Sequence, residues 1–471
     1  EKPGWELYYP PFQAAVDAGV GAFMCSYNRV NGTYACENEA LLKRDLVDGM
    51  GFNGFVMSDW TATHTAAAID HGLAQEMPGV VEPRLLAGHM SHFSDAALND
   101  AYRRQHVDRA ALRVLTSIYR LRLDTHCGTC CVPPCHKERR TNQTSEAHRG
   151  LARHAATSAV VLLKNTGVLP IDTGRVRKIA VLGEAAGTTR YYAGGGSGEV
   201  PIASPTTPAQ AIYRRAAAAG VEVIFCWDPA EAAKADLAVV VAGSWTTEGV
   251  DRASLQLDGN VRGLVAEAAR HVPTVVAMLT PGAVLTPWRG HASAILNLFL
   301  GGEESGAALA AVMFGDAEPS GKLPVMLPKS RRDTIWPGIF PNVFYSEGLH
   351  TSYRSRSFRH AYPFGHGLSY TTFRYGPPEA LSAGSPGCGG PRVARCVRLA
   401  VRNAGNRSGT EVVQAYLQFP DDPDGPERVL RAFHRTALLR PGESEDVVLG
   451  FSGRDLSIYA PGGGGWVRQA R

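Results

Sequence analysis

No stretch of this sequence approaches the roughly 18 consecutive apolar residues that a membrane-crossing helix requires. The run Ala294-Ile295-Leu296-Asn297-Leu298-Phe299-Leu300 reads as a core strand instead. An excess of charge is also lacking: 48 basic and 44 acidic residues leave a formal net charge of +4 over 471 residues. There is no long basic run and no basic stripe interleaved with aromatics, so nucleic acid is not an expected partner. No G-x-S-x-G elbow occurs, which removes support for a serine hydrolase. Gly194-Gly195-Gly196-Ser197-Gly198 fails as a dinucleotide fingerprint because Glu199 stands where the last glycine belongs. The segment from Gly315 to Lys322 misses the P-loop by one residue and puts Leu323 where Ser or Thr is needed. Both read as structural turns. The histidines outside the cysteine cluster described below show no ligand spacing, and no cofactor or metal is expected.

Hydrophobic content of 44% and charged content of 20% are ordinary for a globular enzyme, and the length suits two or three domains. Nine cysteines are many for a cytosolic protein. Cys25 and Cys36 flank the turn-like Asn31-Gly32, and Cys388 and Cys396 flank Gly389-Gly390-Pro391, so each pair can close a short loop. Cys127, Cys130, Cys131 and Cys135 form a third cluster between His126 and His136. Disulfides are the favoured reading there over zinc, because four ligands within nine residues leave little chain to wrap a tetrahedron. Three triplets fit glycosylation acceptors: Asn31-Gly32-Thr33, Asn142-Gln143-Thr144 and Asn406-Arg407-Ser408. Together these features favour an extracellular or secretory-pathway setting. The N-terminus, Glu1-Lys2-Pro3-Gly4-Trp5, has neither an initiator Met nor a signal peptide's apolar core, and a fragment or incomplete gene product is expected.

The most informative stretch is Phe55-Val56-Met57-Ser58-Asp59-Trp60. Apolar residues bounded by glycine, here Gly51 and Gly54, read as a buried strand rather than a helix, because the run is too short for one. In a barrel of alternating strands and helices, the residue just past a strand's C-terminal end faces the catalytic mouth. A carboxylate beside a flat indole suits sugar chemistry, since the Asp can attack an anomeric carbon and the Trp offers a face to the ring's C–H groups. The plain alternative is a strand-end Asp that caps a helix.

The surrounding text resembles glycoside hydrolase family 3, on its β-glucosidase side. The resemblance runs through Ala22-Phe23-Met24-Cys25-Ser26-Tyr27-Asn28-Arg29-Val30-Asn31-Gly32, Ser58-Asp59-Trp60 and Glu76-Met77-Pro78-Gly79. It continues in Val161-Leu162-Leu163-Lys164-Asn165, Thr247-Glu248-Gly249-Val250-Asp251-Arg252, Ser320-Gly321-Lys322-Leu323-Pro324 and Phe364-Gly365-His366-Gly367-Leu368-Ser369-Tyr370. It implies an α/β multidomain chain. Residues 1–125 are expected to be the closing part of a (β/α)8 barrel whose first strands lie before Glu1. A Cys-rich linker at 126–144 precedes a parallel-sheet α/β sandwich at 145–330, then a linker at 331–391 and a fibronectin type III-like β-sandwich at 392–471. Within these, helices are expected at 11–18, 40–50, 95–123, 208–219 and 261–269. Strands are expected at 21–26, 55–58, 178–183, 221–226, 237–242, 274–279 and 294–300 and, after residue 392, at 392–403, 411–418, 428–439 and 445–451. The barrel's last strand is expected around Glu76-Met77-Pro78, and the family's usual Asp after the Gly-Leu pair is replaced here by Ala74-Gln75.

The resemblance implies a retaining exo-β-glucosidase that removes terminal glucosyl residues from a β-glucoside or oligosaccharide. Retention needs two carboxyl groups roughly 5–5.5 Å apart. Asp59 matches the family's nucleophile, and Glu248 matches the acid/base of the branch that carries Thr-Glu-Gly-x-Asp-Arg, which puts the expected site between two domains. Trp60, Tyr27, Arg29 and Trp245 are expected to line the sugar site. For Tyr27 and Arg29 the competing reading is that they fix the loop between Cys25 and Cys36. Asp251 and Arg252 are expected to pair as ions. Trp60 favours the glucosidase branch, since β-xylosidase relatives usually carry Cys there. The competing functional reading is a truncated, inactive glycan-binding fragment, because the upstream Lys-His pair, Arg and Asp that grip glucose in the family cannot be located here.

Overall fold

The computed structural model describes residues 1–79, 91–99, 101–126, 135–336, 343–390 and 392–469. Apart from the first two residues, the chain forms two compact units, Pro3–Gln143 and Thr144–Arg471.

In the first unit, helix α1 (Pro10–Asp17) leads into strand β1 (Ala22–Cys25), and a wide helix Ala40–Gly49 leads into strand β2 (Phe55–Ser58). The two strands pair in parallel, with Ala22 opposite Phe55 and Cys25 opposite Ser58. Gln75 adds one parallel bridge to Met57, so the strand expected near Glu76 is represented by a single bridging residue. Phe52, Val56 and Leu73 fill the core with Leu42 and Leu46 of the wide helix. The helix expected over 95–123 is divided into Asp95–Leu98, capped by Ser94, and α2 (Ala101–Arg120). Asn99 closes the first piece with its N–H on Asp95 O. Of the cysteine cluster, Cys127, Cys130 and Cys131 lie outside the described residues; Cys135 is disulfide-bonded.

The second unit opens with α3 (Glu146–Ala159) and a six-stranded sheet. Its strands are β3 (Val161–Asn165), β4 (Lys178–Leu182), β5 (Glu222–Phe225), β6 (Leu237–Gly243), β7 (Thr274–Leu279) and β8 (Ala294–Leu298). Their spatial order is β3-β8-β7-β6-β4-β5. All neighbours are parallel except β3, which lies antiparallel to β8 and so departs from the purely parallel sheet expected. Every residue of β6 and β7 is buried, as continuous apolar strands covered on both faces must be. Val239 and Val241 meet one helical layer with Ala156, Ile212 and Leu309; α4 (Pro208–Ala217) and α6 (Ser305–Met313) belong to it. Val240 and Ala242 meet Val261, Val265 and Ala268 of α5 (Val261–His271) on the other face.

The antiparallel edge strand β3 does not stay open. Leu368 N–H donates to Leu162 O at 2.8 Å, and His366 Nε2 lies 2.8 Å from Leu163 O. The segment Phe364–Tyr370 therefore covers an edge that otherwise invites pairing with another chain.

The chain ends in a β-sandwich-like region. Strand β11 (Val393–Asn403) pairs antiparallel with β9 (Phe373–Tyr375), β10 (Glu379–Ser382) and β14 (Ser444–Ser452). Strands β12 (Val412–Leu417) and β13 (Val429–Arg435) form a second antiparallel pair. Val401, Val413, Val447, Leu449 and Phe451 share one core. Strands β9 and β10 lie before residue 392, where the sequence indicated only a linker, and Cys388–Cys396 ties the turn that follows β10 to β11.

Glu318 joins this region to the sheet domain. It accepts hydrogen bonds from the Ser369 hydroxyl and, at 3.4 Å, from Thr410 N–H, while Lys322 pairs with Glu411 at 2.8 Å. Burial pushes the Glu318 carboxyl up to about 7, against the pull of the Ser369, Thr410 and Tyr370 donors and the Lys322 charge. A carboxyl raised in the folded state stabilises the fold fully below its ordinary value of 4.5, and that contribution is lost as pH rises through about 7. Glu318→Gln keeps the neutral shape, so the variant is expected to gain on the wild type between pH 4 and pH 8, by at most about 3 kcal/mol. Urea midpoints at the two pH values check this; a wild-type–variant difference that stays constant with pH refutes it.

Candidate functional site

Asp59 stands one residue past the end of β2 and is held through its backbone. Its N–H donates to Cys25 O at 3.0 Å, at the end of the neighbouring parallel strand. On the other side, Ser58 N–H donates to Gln75 O at 2.9 Å and Thr61 N–H to Met77 O at 3.0 Å. Met77 N–H closes the connection on the buried Ser58 hydroxyl at 2.8 Å. The Asp59 carboxylate accepts Trp60 N–H at 2.7 Å and is partly exposed. It caps no helix: the next helical turn, Ala66–Ile69, is capped by Thr65. Trp60 is 44% exposed, so its indole is open to a ligand. Glu76 is buried and satisfied by the Ser91 hydroxyl at 2.6 Å and by the His92 and Phe93 N–H groups at 2.9 Å each.

Tyr27 and Arg29 lie on the loop between Cys25 and Cys36, which are bonded with Cα atoms 5.2 Å apart. Arg29 donates to Tyr34 Oη at 3.0 Å and lies 4.3 Å from that ring's centre, and Tyr34 stacks on His64 at 3.6 Å. Arg29 thus braces its own hairpin, while Tyr27 is half exposed.

In the second unit, Trp245 and Glu248 lie in the loop that leaves β6. Trp245 N–H donates to Asp258 Oδ2 at 3.0 Å, and Arg190 sits 4.9 Å from the indole centre. Glu248 is exposed, with its N–H on Gly195 O at 3.0 Å and its Oε2 accepting Ser197 N–H at 2.6 Å. The Ser197 hydroxyl foremost, and then its N–H, hold the Glu248 carboxyl below the usual carboxylate range. The expected Asp251–Arg252 ion pair does not form among the described residues. Arg252 turns inward instead and donates to Ala283 O at 3.0 Å and to the Ser244 hydroxyl at 3.4 Å, where backbone and hydroxyl acceptors take its N–H groups. Burial lowers its pKa despite the nearby Asp258 charge.

The strand order reverses between β4 and β6, the point where open α/β sheets receive ligands. A cavity of about 490 Å³ lies there, lined by Gly183, Tyr191, Gly243, Asp258 and Asn260 among others. Glu248 is not in its wall, but Asp258 is, and Asp258 also holds Trp245. Ser197, Asp258 and Arg190 escaped the sequence reading. For Ser197 the glycines around it were the available signal; the other two have none.

The domain profiles of known families agree with this architecture. The glycosyl hydrolase family 3 N-terminal domain matches residues 5–88, the family's C-terminal domain matches 160–370, and the fibronectin type III-like domain matches 411–471. A probable β-glucosidase L of Aspergillus fumigatus is 32% identical over 515 residues, covering 98% of this chain and 69% of that protein. The chain belongs to glycosyl hydrolase family 3. A probable β-glucosidase L of Emericella nidulans is 34% identical, with 98% of this chain and 70% of that protein covered. Among solved structures, the β-D-glucoside glucohydrolase of Trichoderma reesei matches with a TM-score of 0.89 at 29% identity, over 100% of this chain and 72% of that one. DesR, a β-glucosidase of Streptomyces venezuelae crystallised with D-glucose, matches at 0.86 and 26% identity, over 99% and 76%. The family is one of glycoside hydrolases, and this chain is a member of that enzyme class.

The Cys25–Cys36 disulfide closes a separation of 11 residues beside the strand end that holds Asp59. Loop-closure entropy gives such a span about 2–3 kcal/mol. The double variant Cys25→Ala/Cys36→Ala is expected to lose that much in the denaturant transition of the first unit, and a loss below about 1 kcal/mol refutes the estimate.

Proposed function

We propose that this protein is a retaining, exo-acting β-glucosidase that works through a glycosyl-aspartate intermediate. Asp59 is the nucleophile and Glu248 the general acid/base. The first unit is read as the closing part of a (β/α)8 barrel, in which loops at the C-terminal strand ends carry the chemistry. The observation that carries the reading is the position of Asp59: one residue past β2, held by its own backbone bond to the end of β1 and by the bonds of Ser58 and Thr61 to Gln75 and Met77, with a partly exposed carboxylate that caps no helix. Similarity to β-glucosidases over nearly the whole chain supports glucose as the sugar recognised, and a solved relative crystallised with D-glucose supports it further. Trp60 and Trp245 supply aromatic faces for the sugar rings, with Tyr27 and Arg29 beside the nucleophile. The paired cysteines and the exposed acceptors Asn31, Asn142 and Asn406 support a secretory setting.

In the first step Asp59 attacks the anomeric carbon as Glu248 gives its proton to the departing oxygen. In the second, Glu248 takes a proton from water, which releases the sugar from Asp59 with its configuration retained. Full-length protein incubated with a 2-deoxy-2-fluoro glucoside is expected to carry the label on the peptide containing Asp59; a label on another carboxylate overturns the assignment.

Removing the proton donor hurts poor leaving groups most. Glu248→Ala in full-length protein is expected to slow cellobiose hydrolysis by about 10²–10⁴, the usual worth of acid catalysis. Dinitrophenyl glucoside should lose far less, and azide should restore turnover and give β-glucosyl azide. Equal losses on both substrates, with azide inert, place the proton donor elsewhere.

A further inference from the structure

An exposed glutamate on a loop ordinarily samples many rotamers, because its side chain gains nothing from any one of them. Glu248 is exposed but is not left to sample. Gly195 N–H donates to Thr246 O at 3.0 Å, and Glu248 N–H returns a bond to Gly195 O at 3.0 Å, so the two loops pair as a short strip of sheet. The glycine segment then turns at Gly196, whose φ of +106° lies in the region L side chains rarely adopt. A Cβ there would also collide with Glu248 Cβ. Only glycine lets the backbone pass close enough for the next residue, Ser197, to set its N–H 2.6 Å from Glu248 Oε2.

We propose that Ser197, presented by the glycine segment at 194–198, is the positioning residue of the acid/base: its contacts fix the direction of the Glu248 carboxylate. This rests on the assignment of Glu248 as acid/base made above. The bond to Ser197 N–H is made to a carboxylate oxygen, and hydrogen bonds to the charged form favour it. The Ser197 hydroxyl adds the larger share of the same effect, consistent with the low Glu248 pKa. The proton-donating form is therefore depleted at a lower pH than in a free glutamate. Activity that needs the proton must fall away on the basic side correspondingly early. The segment is thus more than a pair of turns, since it sets both the geometry and the ionisation of a reacting group.

The test compares Ser197→Ala, Ser197→Thr and Gly196→Ala in full-length protein, with kcat and kcat/KM followed against pH on cellobiose and on dinitrophenyl glucoside. Ser197→Ala is expected to move the basic limb of the cellobiose profile to higher pH. Because alanine keeps the N–H bond, it should lower kcat on that substrate only about 10-fold or less, with KM nearly unchanged, whereas Gly196→Ala, which displaces the carboxylate, should lower it roughly 10- to 100-fold, the scale of a misplaced catalytic group. Dinitrophenyl glucoside should lose little, and Ser197→Thr, which keeps the hydroxyl, should restore the wild-type limb. Gly196→Ala leaves the hydroxyl in place but drives a methyl into Glu248, so it too should spare the activated substrate. In a Glu248→Ala background with azide, adding Ser197→Ala should change nothing. An unmoved basic limb, equal losses on both substrates, or a loss that persists without Glu248 each overturn the proposal for Ser197. If Glu248→Ala alone shows no leaving-group dependence, the acid/base assignment falls and this inference falls with it. Normal Glu248→Ala behaviour beside a silent Ser197→Ala refutes Ser197 only.

Discussion

Parallel pairing is the constraint on which the candidate site depends. Strands that run the same way must each return through a connection, so every loop leaving a C-terminal strand end gathers at one edge of the sheet. In the second unit that edge receives the chain after β4, which holds Tyr191 and the glycine segment, and the chain after β6, which holds Trp245, Glu248 and Asp258. Because β4 and β6 are neighbours, two segments some fifty residues apart in sequence emerge side by side, and Gly195 can pair with Thr247. The first unit repeats the principle on a smaller scale. There β1 ends on Cys25 and β2 on Ser58, directly opposite one another, and Asp59 inherits its place from that register. Slipping either strand by a residue would turn its side chains to the opposite face.

Much of this was legible in the residues. Thr274–Leu279 and Phe55–Ser58 lie where the apolar runs put them, because a fully buried strand needs no polar alternation and is bounded sharply by turn residues. The short Phe373–Tyr375 and Glu379–Ser382 strands were not legible, since three or four residues between prolines and glycines carry no periodicity; their strand character comes from pairing with Val393–Asn403. The orientation of β3 was equally hidden. Nothing in Val161–Asn165 distinguishes an antiparallel edge from a parallel one, and the sense shows only in the pairing with β8. Arg252 misled for a related reason. Adjacent opposite charges invite pairing on paper, but neighbours along an extended loop point apart, and the guanidinium found fixed acceptors at Ser244 and Ala283.

The candidate site residues divide in the same manner. The strand-end position of Asp59 was readable because it follows from a local apolar run. The proposed role of Glu248 rests on its flanking text, since an exposed loop glutamate has no local signature. The Ser197 contact could not be read from sequence at all, as it depends on a partner fifty-one positions away. A glycine-rich segment announces that the backbone must come close to something. It does not say to what.

On the proposed assignment, the lowered pKa of Glu248 bears on how one residue would serve two steps. As an acid it must hold a proton, and as a base it must have given it up, so either extreme of pKa disables one half of the cycle. The Ser197 contacts pull toward the charged form, and in open solvent little opposes them. A sugar laid over the carboxylate, as the proposed mechanism requires, would oppose that pull, because expelling water raises the pKa of an acidic group. Trp245 stands on the same loop, anchored by Asp258, so the aromatic face proposed for the sugar and the proposed proton donor share one stretch of backbone. On the proposed assignment, the bridge between Gly195 and Thr247 therefore bears on sugar binding and proton transfer together, because both would be carried by the one short loop it pairs with.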